Sequence, residues 1–213
     1  MWITAFFYKI SMTERLVLKI MNMSPRTEQQ YVEIREERRN QIMKVALQLI
    51  ADEGFSQVSI SKIAKKASIS KGLMYNYFAS KEELIKEIMN NGLKQLTDIF
   101  DPNKDGVLTE DEMHFFIDQL FNVLRSNIRF WRMYFMVMFQ PEVFKMVEPK
   151  IVEALDPLMK TAQEYFIRNK YEDPEAEMRY FAAVLDGIAL HYVLDPLHFP
   201  LEGIKKKLHA IYK

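Results

Sequence analysis

The stretch from Ser59 to Lys81, SISKIAKKASISKGLMYNYFASK, restricts the fold of this chain more than any other. Ile60, Ile63, Ala64 and Ala67 recur at helical spacing, so a short helix here carries one small apolar face. Ser68 and Ser70 interrupt that pattern, and Ser70 is placed to cap a second short helix running roughly from Lys71 to Tyr77. Met74, Tyr77 and Phe78 give the second helix an apolar side, which leaves Lys71, Leu73, Tyr75 and Asn76 pointing elsewhere. Two short helices that share a small core across a tight turn make a helix-turn-helix.

Charge supports a purpose for that surface. Between Ser56 and Lys81 the ionised residues are Lys62, Lys65, Lys66, Lys71 and Lys81, with no acid among them. The whole chain is neutral, with 29 basic and 29 acidic residues, so this acid-free run is a local asymmetry. Binding to phosphate needs such a patch. A pair of core helices with a solvated lysine face would show the same charges. The caps, the packing pattern and the charge taken together favour DNA.

Around this stretch, RRNQIMKVALQLIADEGFSQVSISKIAKKASISKGLMYNYFASKEELIKEIM, Arg38 to Met89, resembles the N-terminal DNA-binding domain of the TetR family of bacterial transcriptional regulators. The pattern A..L....G......I...A..S.G..Y.YF.SKEEL is nearly intact over about a quarter of the chain. The resemblance implies an all-α fold: a three-helix DNA-binding domain over 34–90 and a helical effector-binding and dimerisation domain over 91–213. It further implies a cytoplasmic homodimer on palindromic double-stranded DNA, a repressor released by a small apolar effector, with no cofactor required. Carried onto this chain, Lys71, Leu73 and Asn76 become the base-reading candidates. Ser59, Tyr75, Tyr77 and Lys81 become phosphate contacts, Ser70 the cap of the reading helix, and Gly72 the point where that helix nears the DNA backbone. Leu73 departs from the small polar residue common there, so it suits a thymine methyl.

Flanking signals extend the pattern. Ile42, Val45, Ala46, Leu49 and Ile50 form a helical stripe that Gly54 stops, and Phe55 and Val58 plug the small core. Ser80 with Glu83 reads as a capping box opening a helix from Lys81 to about Phe100. Upstream, residues 1–33 form an extension. Its start, MWITAFFYKISMTERLVLKIMNM, is too interrupted for a membrane span and lacks a cleavage site. An amphipathic anchor, an extra DNA arm and a translation start at Met21 or Met23 all remain open for it. Arg26, Arg35, Arg38 and Arg39 suit an arm toward DNA, but Glu28, Glu33, Glu36 and Glu37 favour a solvated helix start.

Asp101 to Glu112, DPNKDGVLTEDE, fits the EF-hand calcium loop. Asp101, Asn103 and Asp105 stand at its first, third and fifth positions and Gly106 at the turn, while Val107 offers a carbonyl, Thr109 a hydroxyl and Glu112 two oxygens. Turn chemistry at Asp105-Gly106 and a capping box from Thr109 to Glu112 explain half of this without an ion. Calcium is thus a candidate cofactor, and a calcium-responsive regulator an alternative function.

From Phe115 on, aromatic and methionine residues are dense enough to line an apolar cavity, although such residues more often fill a helical core. Helices are expected near 110–126, 128–139, 142–168, 174–194 and 201–212, with breaks at Asn127, Pro141, Pro149 and Asp156-Pro157. By resemblance, Phe181, Leu185, Gly187, Ile188, Tyr192, Ile204 and Leu208 line a dimer interface built by the last two helices. Gly187, inside a helix, suggests close packing. Lys205, Lys206 and Lys207 read as a solvated face. His114, His191, His198 and His209 show no paired ligand spacing. With no cysteine and no glycine-rich phosphate loop either, the chain lacks the marks of an enzyme. A helical interaction protein that does not bind DNA is the remaining alternative.

Overall fold

In the computed structural model, which describes residues 27–212, every regular element is an α-helix. The readings of the leader through Arg26 lie outside the described residues. The helices are α1 (Glu28–Glu53), α2 (Ile60–Lys66), α3 (Lys71–Tyr75), α4 (Lys81–Thr97), α5 (Glu110–Ser126), α6 (Ile128–Met138), α7 (Pro141–Arg168), α8 (Pro174–Leu194) and α9 (Leu201–Ile211). The chain divides into two units, residues 1–40 and 41–213, and α1 runs through the division. In the first unit α1 opens with a reciprocal cap: Thr27 N donates to Gln30 Oε1 at 3.0 Å and Gln30 N to Thr27 Oγ1 at 3.2 Å.

In the second unit the expected stripe of α1 buries Ile42, Ala46, Leu49 and Ile50. Gly54 ends the helix at φ +89, a conformation that a side chain would strain. Phe55 and Val58 then drop into the core between α1 and α2. Ser59 and Ser70 cap α2 and α3 through their hydroxyls, which accept from Lys62 N and Leu73 N. The second of these helices is shorter than expected. It ends at Tyr75, where the Asn76 and Tyr77 amides turn back to Leu73 O and Met74 O and so aim Phe78 inward. Ser80 Oγ accepts from Glu83 N at 3.0 Å, but the Glu83 carboxylate takes the Ala79 amide, so the expected box is closed one residue early.

Helix α4 stops at Thr97 rather than near Phe100, and Phe100 folds into the core. Thr109 and Glu112 do form the full capping box of α5. Asn127 caps α6, and Asp173 with Pro174 starts α8. The helix expected near 142–168 is present as α7, and it runs unbroken through Pro149 and Pro157. An interior proline frees the carbonyl four residues back, at a cost of about 3 kcal/mol. Here those carbonyls belong to Lys145 and Glu153, both exposed, so water satisfies them. Burial of Val143 and Val147 before the prolines, and of Ala162, Tyr165 and Phe166 after them, holds both ends in place.

The tightest packing lies not at Gly187, whose added Cβ would meet nothing within 4 Å, but at Gly92 on α4. A Cβ there would stand 2.2 Å from Cε2 of Tyr134. That ring cannot step aside, because it is buried and its hydroxyl donates to Met89 O at 2.9 Å. Burial pushes the Tyr134 phenol well above its usual range. Gly92→Ala therefore overpacks the α4–α6 contact and destabilises by about 1–3 kcal/mol. The matched Gly203→Ala, which meets nothing, gains up to ~1 kcal/mol of helix propensity. Thermal unfolding of the two variants should move in opposite directions.

Candidate nucleic-acid interface and ligand cavity

The short helix α3 buries only Met74 and turns the rest of its surface outward. Lys71, Gly72, Leu73, Tyr75 and Asn76 are exposed, Leu73 at 40% and Tyr75 at 47%, while Tyr77 is half-buried. Beside it lies a shallow concavity lined by Ser59, Tyr75, Ser80 and Lys81, so three of the four expected phosphate-contacting positions, all but Tyr77, share one surface. The amide ends of α2 and α4 open onto the same place.

The five lysines are not equivalent. Lys62 pairs with Glu53, an acid just outside the acid-free run, so folding neutralises it. Lys81 is held to the fold: Nζ donates to Phe55 O at 2.7 Å and lies 3.9 Å from the centre of the Phe55 ring. Among the described residues Lys65, Lys66 and Lys71 make no ion pair, and they carry the outward positive charge. Lys205 also departs from expectation, since it binds Asp118 at 2.8 Å instead of facing solvent. Burial would lift the Asp118 carboxyl, but hydrogen bonds from Lys205 and His209 outweigh it and hold the group below its usual range.

A polar clasp ties the helix-turn-helix to the C-terminal helices. Gln140 Oε1 accepts from Phe55 N at 2.7 Å, and Gln140 Nε2 donates to Ile50 O at 3.1 Å, so one amide satisfies both sides of the α1–α2 corner. Ser56 Oγ donates to Glu142 Oε1 at 2.9 Å. Hydrogen bonds from its own backbone N–H and from Ser56 hold the Glu142 carboxyl below its usual range. Arg129 Nη2 donates to Gln48 Oε1 at 2.7 Å. Gln140 was passed over in the sequence although a signal was present. It occupies the N-cap of α7, just before Pro141, yet makes no cap with its side chain.

Between α4, α5, α6, α7 and α8 lies an apolar cavity of about 480 Å³. Phe100, Phe116, Phe135, Met138, Phe139, Phe144, Met159 and Phe181 are among its walls. The sequence left core filling and a cavity both open, and packing around α7 decides for a cavity. Phe181, Leu185, Tyr192 and Leu208, expected at a dimer interface, are buried in this chain's own core. Phe181 packs on Tyr212 at 4.7 Å and Tyr192 on Phe121 at 6.3 Å. Gly187, Ile188 and Ile204 remain half-buried.

The 101–112 loop closes on itself. Asp101 accepts from Lys104 N at 2.8 Å and Gly106 N at 2.9 Å, and Asp105 accepts from Val107 N at 2.8 Å. The Asn103 amide donates to Asp105 at 3.1 Å and to Glu112 at 2.8 Å, and Glu112 also receives the Thr109 amide and hydroxyl. Among the described residues no group of three or more acids, histidines or cysteines is gathered so as to hold a metal.

The family profile for bacterial regulatory proteins of the tetR family matches residues 42–88, the helix-turn-helix and its supports. Over these residues the chain is similar to the TetR family of bacterial transcriptional regulators. Along most of its length it is similar to the HTH-type transcriptional regulator PksA of Bacillus subtilis, at 25% identity over 80% of this chain and 86% of that one. Its fold matches that of the fatty acid degradation regulator FadR of Bacillus halodurans, with a TM-score of 0.63, 21% identity, and coverage of 82% of this chain and 94% of the other. It also matches FadR of Bacillus subtilis, solved in complex with stearoyl-CoA, with a TM-score of 0.59, 20% identity, and coverage of 81% and 96%.

The clasp has a measurable cost of removal. Gln140→Ala strands the part-buried Phe55 amide, while Ile50 O keeps the Gly54 amide, and leaving such a group unsatisfied costs about 1–3 kcal/mol. Chemical denaturation should show that loss, while exposed Gln57→Ala should leave the midpoint unchanged.

Proposed function

We propose that this regulator is a cytoplasmic homodimeric repressor that leaves a palindromic operator when a small apolar molecule enters the cavity. The observation that carries this reading is the placing of Gln140 between two cavity walls. Phe139 and Phe144 line the cavity on either side of the residue that grips the α1–α2 corner. A ligand that displaces those rings moves α7, and α7 moves the backbone that carries α2 and α3. In a population-shift description, the ligand has to prefer the displaced arrangement, because equal affinity for both shifts nothing.

On DNA, α3 enters the major groove, with Lys71, Leu73 and Asn76 at base edges and Gly72 allowing close approach. Ser59, Tyr75 and Tyr77 meet phosphates, and Lys81 contributes its remaining N–H donors from beside Phe55. Ser70 acts as the cap that fixes α3. The functional parts are then residues 34–90 for DNA and 91–213 for effector and dimer. The seam of the dimer runs along α8 through Tyr180, Gly187 and Leu194, a stripe at seven-residue spacing, joined by Ile188, Ile204 and Ile211. Tyr180, Leu194 and Ile211 are 57%, 53% and 53% exposed, an apolar surface with no cover in this chain.

Gel shift with DNA from upstream of its own gene tests the proposal. Wild type should bind as a dimer with salt-sensitive, sequence-selective affinity. Lys71→Ala, if it contacts phosphate, should weaken all sequences alike and reduce the salt slope by about 1, whereas a base contact costs about 1–3 kcal/mol at one position. Unchanged affinity in both Lys71→Ala and Tyr75→Ala would sink the docking of α3.

A second reading, calcium-responsive regulation, is favoured by one observation: the Asn103 amide sits between Asp105 and Glu112, where a cation of the EF-hand type would take their oxygens. In it, Asp101, Asn103, Asp105, Val107, Thr109 and Glu112 tighten the α4–α5 connection when calcium binds. Calorimetric titration of Ca²⁺ into wild type and Glu112→Gln decides the matter, since heat lost in the variant supports the reading and two flat traces remove it.

A further inference from the structure

We infer that the cavity selects apolar molecules carrying a cationic nitrogen and rejects fatty acids and acyl-CoA, with Asp186 as the group that reads the charge. The inference rests on the ligand-cavity reading above and deepens it. Its basis is the polar inventory of the walls. Apart from Asp186, the polar side chains that line the cavity are Thr97 and Tyr134. Both are already committed, since the Thr97 hydroxyl donates to Lys94 O at 3.3 Å and the Tyr134 hydroxyl to Met89 O at 2.9 Å. No lysine, arginine or histidine lines the space, so a carboxylate or phosphate finds no counter-charge there.

Asp186 is different. It sits on α8 in the apolar run FAAVLDGIALHYVL, flanked along the wall by Leu185, Gly187 and Leu190. Among the described residues it makes no hydrogen bond or ion pair, while most other acids near a helix face have found a lysine or an amide. Asp186 is exposed where it meets the cavity. Partial desolvation by its apolar neighbours raises its carboxyl above the usual range. Beside walls that offer no other charge, this carboxylate attracts an entering cation. The same charge repels an anionic head. Apolar walls give affinity for the tail, and Asp186 gives the choice of head. A single acid interrupting an otherwise apolar helix face was the signal in the sequence.

The test uses the full-length protein and three probes that share one tail, below micellar concentrations: decylamine, decanol and decanoate, with stearoyl-CoA as a fourth. Calorimetry on wild type should show decylamine binding at least about tenfold tighter than decanol, a difference of ~1.4 kcal/mol, with decanoate and stearoyl-CoA weakest. In Asp186→Asn, which keeps the shape, decylamine should fall to the level of decanol, while decanol binding and operator binding stay as in wild type. Equal affinity for all heads, or unchanged preference in Asp186→Asn, overturns the charge selection and leaves the apolar cavity standing. Tighter binding of decanoate or stearoyl-CoA than of the amine overturns it as well. If no probe binds either protein, the cavity reading falls and takes this inference with it.

Discussion

The ring of Tyr134 occupies the space that Gly92 leaves by having no side chain, and much of the arrangement follows from that contact. It brings α4 and α6 close enough for the Tyr134 hydroxyl to reach Met89 O, midway along the helix that starts at Lys81. Helix α4 is the covalent path from the helix-turn-helix to the C-terminal helices. With α4 fixed against α6, the first residues of α7 fall next to the α1–α2 corner, and Gln140 and Glu142 can bridge to it.

Phe135, Met138 and Phe139 on α6 and beyond, with Phe144 on α7, form one wall of the cavity next to the clasp. The clasp is made of hydrogen bonds, each contributing modestly, rather than of a deep apolar interface. The small core of the helix-turn-helix, with Ile42, Ile50, Ile63, Met74 and Phe78 almost fully buried, packs on its own account. Tyr165 and Tyr212 add a rigid aromatic end at the far side, where burial lifts the Tyr165 phenol to about 12.

What could be read from the chain alone was local. Serines at positions 59, 70 and 80 cap because a hydroxyl next to a helix start has amides within reach, whatever lies around it. The stripe from Ile42 to Ile50, the stop at Gly54, the Thr109–Glu112 box and the start at Asp173-Pro174 follow from spacing and backbone preference. The outward set on α3 follows too, because Met74 and Phe78 take the inward positions.

Tertiary structure decided what depends on partners far apart in the chain. Pro149 and Pro157 are helix-breaking residues, yet burial on both sides kept α7 whole over its expected span. Phe181, Leu185, Tyr192 and Leu208, carried over as interface residues, also pack within their own chain. Lys62 read as part of a phosphate-binding patch, Lys81 as a phosphate contact and Lys205 as solvated, and Glu53, Phe55 O and Asp118 lie within their reach. The partners of Gln140 were hidden for the same reason. A hydrogen bond spanning 85 residues is a property of distances that no local pattern encodes.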